Sequence, residues 1–270
     1  MKTLGMIGGI GPESTIEYYR LLFRAYRDRH PDGSNPSILI NSINMKHLLT
    51  MIEANDFSKM AEYLVEEIQR LADGGAAVGL LSANTPHVVF DELSQKSPIP
   101  LVSIVEATCD AAKKLGLKRL GLLGTRFTMQ GHFYPRVFSK AGIALVIPQL
   151  DDQAYIHDKY MNELVKGIVS PVTRVKLLEI VDRLKAQDQD QDRIDGLILG
   201  GTELTLILGD ATACGIQLLD TTKIHAEAAA ERVWPRQGPN NARRDLLPID
   251  DGKSPMDDRF DDGDRRQIRD

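Results

Sequence analysis

The chain has 270 residues, a formal net charge of -5 and an ordinary globular composition, 42% apolar and 26% charged. This length suits two compact α/β lobes better than one. The mild acidic balance argues against a general nucleic-acid or membrane-surface binder, because both partners favour a basic face. No apolar run reaches the ~20 residues that a membrane-spanning helix requires, so we expect no membrane partner.

The N-terminal sequence MKTLGMIGGIGP is typical of a strand that enters a turn, and it lacks the features of a signal peptide. The two cysteines, Cys109 and Cys214, lie far apart in the sequence. Two cysteines cannot build a disulfide framework, so we expect reduced thiols and a cytoplasmic protein.

Short apolar runs alternate with longer amphipathic stretches, a pattern that predicts parallel sheets with crossover helices. The predicted strands are Leu4–Ile10, Ser37–Ile43, Ala77–Ala83, Leu101–Ile104, Arg119–Gly124, Ala144–Ile147, Asp195–Gly200 and Gln217–Leu219. The fold class is therefore α/β, with two pseudo-symmetric lobes, each a parallel sheet flanked by helices, and a site in the cleft between them. We assign residues 1–104 plus 213–234 to the first lobe and 105–212 to the second.

The C-terminal segment 235–270 mixes both charges with Pro, Gly and Asn and contains few apolar residues. Such a segment cannot bury enough surface to offset its ordering entropy, so we predict a disordered charged tail.

Polar side chains follow several predicted strands where each strand ends. Asn84 and Thr85 follow the third strand, Thr125 and Thr128 follow the fifth, and Thr202 follows the seventh. Ligands of parallel sheets bind at such carboxyl ends, where backbone N–H groups and helix N-termini point outward. These residues form a candidate carboxylate site, although Asn84 or Thr85 could equally cap a helix.

The glycine turn after the first strand, Gly8 to Pro12, does not fit a dinucleotide-binding fingerprint. The third glycine of that fingerprint would fall at Ser14, and Pro12 removes a backbone donor. A tight turn that lets a small anion approach the backbone at Gly9 fits better, and we expect no cofactor.

The histidines predict no metal site, because none has metal-ligand spacing with another cluster. His87 has a pKa suited to proton transfer, but a histidine in a first helical turn is more often a surface or capping residue.

At these strand ends the chain resembles the aspartate/glutamate racemase family, over nearly all of its folded part up to about residue 233. The resemblance rests on MKTLG followed by GGIGP, Asn84-Thr85-Pro86-His87, LLGTRFTM from Leu122, ELVKG from Glu163, Gly200 with Thr202-Glu203, and Asp220-Thr221-Thr222.

The resemblance implies two lobes around a cleft, usually in a homodimer, and an isomerase that needs no pyridoxal phosphate or metal. By position, Asn84, Thr85, Thr125 and Thr202 would hold the carboxylates of a small acidic amino acid or dicarboxylate, and Lys166 would face the side-chain carboxylate.

The family's two catalytic cysteines stand just before the Asn-Thr pair and just before the Thr-Glu pair. Here those positions hold Ala83 and Gly201, and neither can carry a proton. Three hypotheses remain: turnover with substitutes such as His87 and Glu203, binding without turnover, or a decarboxylase or lyase reaction that needs fewer proton transfers. If the binding frame is intact, the double replacement Ala83→Cys with Gly201→Cys should create racemisation.

Overall fold

The computed structural model describes residues 2–186, 193–209 and 215–236. Within these ranges, eight parallel strands form two four-stranded sheets, in the orders β2-β1-β3-β4 and β6-β5-β7-β8. The strands are β1 Thr3–Gly8, β2 Ile38–Ser42, β3 Ala76–Leu81, β4 Leu101–Val102, β5 Arg119–Gly124, β6 Ala144–Val146, β7 Gly196–Gly200 and β8 Gln217–Asp220. The predicted α/β class with two sheets is confirmed.

Helices fill most of the connections between the strands. They are α1 Pro12–Arg27, α2 Met45–Glu53, α3 Phe57–Asp73, α4 Phe90–Lys96, α5 Ile104–Lys114, α6 Arg126–Gln130, α7 Phe133–Lys140, α8 Leu150–Asn162, α9 Pro171–Ala186, α10 Leu204–Leu208 and α11 Thr221–Val233, with 3₁₀ turns at Thr85–Val89 and Leu164–Lys166. Within the described ranges, no helix combines the length and apolarity that crossing a membrane requires.

Side-chain caps explain where several helices begin. Asp56 accepts a hydrogen bond from the backbone N–H of Lys59, and Ser103 accepts one from that of Glu106. These bonds satisfy backbone donors that have no partner inside the first helical turn.

Each sheet is covered by helices on both faces, as the near-continuous apolar character of its strands predicts. In the first sheet, the side chains of Leu4 and Met6 pack toward α1 and α11, whereas that of Ile7 packs toward α2 and α3. In the second sheet, Leu122 packs toward α5 and α7, whereas Leu123 packs toward α8 and α9. The period-2 alternation of a strand accounts for this division.

The segment 213–234 is predicted to belong to the first lobe, and its described residues, 215–234, contact both sheets. Strand β8 pairs with β7 of the second sheet, where Ile198 is opposite Leu219. Helix α11 then packs through Ala226 and Ala230 into the apolar cluster that lies under β1. Most of the predicted tail, residues 237–270, lies outside the described residues.

Candidate functional site

The carboxyl ends of β3 and β5, which belong to different sheets, meet at two threonines. The hydroxyl oxygens of Thr85, just after β3, and Thr125, just after β5, lie 3.2 Å apart. The Thr125 hydroxyl is also 3.2 Å from that of Thr128, and it caps α6 by accepting from the Thr128 backbone N–H. The ends of β3 and β5 therefore meet through these hydroxyl groups.

A narrow cavity of about 50 Å³ lies between the two sheets at this point. Its polar wall contains Asn84, Thr85, Thr125 and Glu203, and the wall also includes Ala83 and Gly200. The remaining side chains are mostly apolar: Ile10, Met45, Leu48, Leu49, Ile52, Phe127, Tyr160, Met161 and Val165. Ala83, after β3, and Gly200, at the end of β7, thus border one shared cavity, which we call the inner cavity.

The ring of Tyr160, from α8, occupies the space in which a side chain at position 201 would lie. A Cβ atom built on Gly201 would be 3.0 Å from the Tyr160 Cζ atom and closer still to Cε2. The backbone of Gly201 is not among those with positive φ, so the conformation itself permits a side chain there. A side chain at position 201 therefore requires the Tyr160 ring to shift.

Glu203 contributes a carboxyl group to the wall of the inner cavity. Its carboxylate accepts hydrogen bonds from the Tyr160 hydroxyl and, at 2.7 Å, from the Thr202 hydroxyl. Burial raises the pKa of Glu203 above its ordinary value, although these two donors act in the opposite direction. Burial and the neighbouring Glu203 charge also raise the pKa of Tyr160 well above its ordinary value. The pair is thus a buried acid with a fixed hydroxyl partner.

The glycine turn after β1 packs against the other carboxylate oxygen of Glu203. Gly11 has φ 95°, and a Cβ atom there would overlap Oε1 of Glu203. The left-handed conformation and the missing side chain together allow this close approach. The turn therefore positions Glu203.

Gly9 holds the turn in place. Its N–H donates to the Thr15 hydroxyl at 2.9 Å, and Ile10 is the turn residue that borders the inner cavity. The geometry does not favour the predicted contact between Gly9 and a ligand.

Asn84 borders the inner cavity, but helix residues fix its amide. Its Nδ2 donates to the Thr221 hydroxyl at 3.1 Å, and its Oδ1 accepts from the Tyr134 hydroxyl at 2.6 Å. The side chain makes no helix-capping bond, so the capping alternative is not what the structure shows. Asn84 can still offer its second amide hydrogen to a ligand.

Four of the predicted ligand-binding residues do not border the inner cavity: Gly9, Thr128, Lys166 and Thr202. Thr202 donates to Glu203 and faces a separate cavity of about 150 Å³, where Glu13 and Asp220 also lie. The side chain of Lys166 is exposed and is not part of the inner cavity wall. Thr202 is a support of Glu203 in this geometry.

The geometry argues against His87 as a proton carrier. Its Nδ1 lies 3.0 Å from the Ala83 carbonyl oxygen, and its Nε2 accepts from the Ile104 backbone N–H at 3.1 Å. Since one nitrogen accepts, the other carries the proton and donates. Burial and the nearby His225 lower the pKa of His87 to about 3. Both ring nitrogens serve the backbone, and His87 braces the start of α5 against the end of β3.

His225 has a similar structural role between α1 and β4. Its Nδ1 pairs with the Tyr18 hydroxyl at 2.7 Å and its Nε2 with the Val102 carbonyl at 2.9 Å. No cluster of His, Cys, Asp and Glu in the described ranges could hold a metal ion. Cys109 is a free, buried thiol of α5, and Cys214 lies outside the described residues.

Sequence reasoning did not identify Tyr160 or Tyr134 as part of this region. Both lie on helices that follow β6 and β5, far from the motifs that mark the strand ends. The one available signal was Gly201, which stands where the family resemblance implies a catalytic side chain. A glycine there indicates that a neighbouring side chain fills the space.

The two sheets and their shared cavity define a two-lobed α/β protein with a cavity at the strand ends of both sheets. A sequence model of the Asp/Glu/Hydantoin racemase family matches residues 7–229, and the chain belongs to this family.

Several relatives agree with this assignment. The chain is 23% identical to the broad-specificity amino-acid racemase RacX of Bacillus subtilis, over 83% of this chain and 95% of RacX. Among solved structures, a candidate Asp/Glu racemase from Yersinia pestis is 33% identical with a TM-score of 0.77, covering 86% of this chain and 99% of that one. An aspartate racemase homologue from Pyrococcus horikoshii is 29% identical with a TM-score of 0.72 and the same coverage.

Proposed function

We propose that this protein binds a small carboxylate between the ends of β3 and β5 and moves a proton at the adjacent carbon, with Glu203 as the acid and base. The observation that carries the proposal is the buried Glu203 carboxyl at the wall of the inner cavity, held by Tyr160 and Thr202. The raised pKa of Glu203 suits proton exchange near neutral pH better than an ordinary carboxyl does.

The carboxylate partners in this proposal are Thr85, Thr125 and the free amide hydrogen of Asn84. Their polar atoms come from both sheets, and the two hydroxyls are already within 3.2 Å of one another. Hydroxyl and amide donors at strand ends suit a carboxylate because they hydrogen-bond its oxygens without a metal.

Proton transfer occurs on one side of the ligand in this proposal. Inversion of a carbon centre by two opposed groups needs a proton carrier on each face, but Ala83 and Gly201 offer none. Removal and return of the proton by Glu203 exchanges it with solvent and retains the configuration. A reaction that loses carbon dioxide would likewise need only one proton delivery.

A deuterium-exchange experiment tests this proposal. The full-length protein is incubated in heavy water with L-aspartate, L-glutamate, L-alanine and L-phenylalanine, and the Cα proton signal is followed by NMR. We expect exchange with retained configuration. The exchange rate should fall at least 100-fold in Glu203→Gln and stay unchanged in Glu227→Gln, a matched change at an exposed position. Absence of exchange with every amino acid would contradict the proposal, and equal amounts of both enantiomers would show a second proton carrier.

A second candidate function is binding without turnover, which the filled space at position 201 favours. In that case no ligand exchanges its Cα proton, yet a bound carboxylate raises the melting temperature through its preference for the folded state. Carbon dioxide release would instead indicate a lyase.

We further propose, from the family resemblance, a cytoplasmic homodimer that works without pyridoxal phosphate. Light scattering of the purified full chain tests the dimer. The near-ultraviolet absorbance spectrum, in which a bound pyridoxal chromophore would be visible, tests the cofactor.

A further inference from the structure

The inner cavity is too small for a whole substrate with a sizeable side chain. Its volume is about 50 Å³, whereas pockets that enclose small organic ligands measure roughly 300–1,000 Å³. The inner cavity therefore suits a carboxylate and the carbon attached to it, and the rest of a ligand must lie elsewhere.

A second, larger cavity adjoins the inner one, and we call it the outer cavity. It has a volume of about 800 Å³ and shares three wall residues with the inner cavity, Ile52, Thr85 and Phe127. Thr85 belongs to the proposed carboxylate partners, so a ligand held there lies at the boundary between the two spaces. A substituent on the bound carbon can extend past Phe127 into the outer cavity.

Apolar and aromatic side chains make up much of the outer wall. Phe57, Val88, Phe127 and Phe133 all border it. The Arg126 guanidinium carbon lies 5.5 Å from the centroid of the Phe127 ring, so the cation covers one face of that ring. Flat aromatic walls of this kind favour a ring by stacking and by removal of its surface from water.

The inner wall disfavours a second carboxylate near the first. Among its described residues there is no Lys or Arg, and its carboxyl group is that of Glu203. Of the two arginines that border the outer cavity, Arg136 is paired with Asp91 and Arg126 lies over the Phe127 ring. A short acidic side chain such as that of aspartate would find no cation among the described residues of the inner wall.

We infer that the ligand is a carboxylate with a bulky aromatic substituent, its carboxylate in the inner cavity and its ring in the outer cavity. This inference rests on the proposed function, because it assumes that Thr85 and Thr125 hold the carboxylate. It differs from the small dicarboxylate that the family resemblance implies.

Binding of simple probes tests the inference without any need for turnover. Calorimetric titration of the full-length protein with phenylacetate, acetate and succinate compares a ring, no substituent and a second carboxylate. We expect phenylacetate to bind at least ten-fold more tightly than acetate, and succinate to bind no more tightly than acetate.

Two tryptophan variants test whether the ring of phenylacetate lies in the outer cavity. Val88→Trp fills the outer cavity from its apolar wall, and Gln130→Trp fills it from an exposed position at which the amide of Gln130 donates to Oε1 of Gln153 at 2.9 Å. Each should weaken phenylacetate at least ten-fold and leave acetate within two-fold, whereas Val172→Trp, at a residue that is 77% exposed and far in sequence from both cavities, should change neither.

Each outcome has a defined consequence. If phenylacetate and acetate bind alike, or succinate binds most tightly, the inference is wrong while the carboxylate site stands. If neither tryptophan weakens phenylacetate, the ring does not lie in the outer cavity. If no carboxylate binds and Glu203→Gln has no effect on exchange, the inference and the proposed function both fall.

Discussion

Glu203 is the proposed acid and base of the inner cavity, and its burial makes the free energy of unfolding depend on pH. A carboxyl with a raised pKa binds its proton more tightly in the folded protein than in the unfolded chain. Its stabilising effect is therefore present below the ordinary glutamate pKa of about 4.3 and is lost as the pH rises toward the folded-state value.

The variant Glu203→Gln should remove this pH dependence. We expect the variant to gain free energy of unfolding relative to the wild type as the pH rises from 4 to 8, because an uncharged amide avoids the burial of a carboxylate. Urea denaturation at several pH values measures the difference. A constant difference across that range would show that Glu203 titrates as an exposed carboxyl does.

Two cysteines at positions 83 and 201, where the family resemblance implies thiols, should not suffice for racemisation. Gly201→Cys would collide with the Tyr160 ring, so the double replacement Ala83→Cys with Gly201→Cys should remain inactive. Adding Tyr160→Ala clears the space, and we expect racemisation at least ten-fold above that of the double variant, measured by chiral chromatography of aspartate and phenylalanine.

Tyr160→Phe is the matched control for the triple variant. It keeps the ring atoms that overlap position 201 and removes only the hydroxyl, so its combination with the two cysteines should stay inactive. Equal activity with Phe and Ala at position 160 would mean that the ring moves aside readily and that steric overlap is not the obstacle.

The motifs at the strand ends predicted where the cavity lies but not how it is filled. Thr85 and Thr125 could be located because polar residues directly after apolar strands mark the carboxyl edge of a parallel sheet. Tyr160 could not, because its role depends on how α8 packs over β7 and no local pattern encodes that. The role of His87 was open for the same reason, since its two backbone partners lie on different elements.

At the scale of elements, the strands were predictable because each is a short apolar run bounded by turn residues, and β1, β5 and β7 are buried over nearly their whole length. The assignment of the last segment to one lobe stays a prediction: β8 pairs with β7 of the second sheet, and α11 packs against the cluster at β1 of the first. A strand pairs through its backbone, whereas a helix packs through its side chains, so the sequence pattern of one does not fix the other.

The cap of α11 offers a test at this scale. Asp220 ends β8, and its Oδ1 accepts from the backbone N–H groups of Thr222 and Lys223. Asp220→Ala removes both bonds and should cost about 1 kcal/mol, or roughly 2–4 °C in melting temperature for a chain of this size.

Asp220→Asn keeps an acceptor oxygen and serves as the control, with a melting temperature close to that of the wild type. A loss as large in Asn as in Ala would show that the charge of Asp220, rather than its capping bonds, stabilises the helix start.

At the scale of the whole molecule, two buried histidines predict how stability responds to acid. The pKa values of His87 and His225 are lowered by burial to about 3 and about 4. Below the ordinary histidine pKa of about 6.5 the unfolded chain binds protons that the folded protein does not. The free energy of unfolding should therefore fall as the pH falls from about 6.5 toward 4, by up to about 1.4 kcal/mol per pH unit for each histidine.

A comparison of His87→Gln with His47→Gln isolates this effect. The first variant should show a shallower loss of stability between pH 6.5 and 4, and the second, at an exposed position, should follow the wild type. Parallel curves for all three proteins in urea denaturation would indicate that His87 is protonated in the folded state.

The Tyr160 ring also couples two positions that are far apart in the sequence. A larger side chain at position 201 requires the ring to shift, and a smaller residue at position 160 removes a hydrogen-bond donor of the Glu203 carboxylate. Substitutions at positions 160 and 201 should therefore have non-additive effects on the free energy of unfolding.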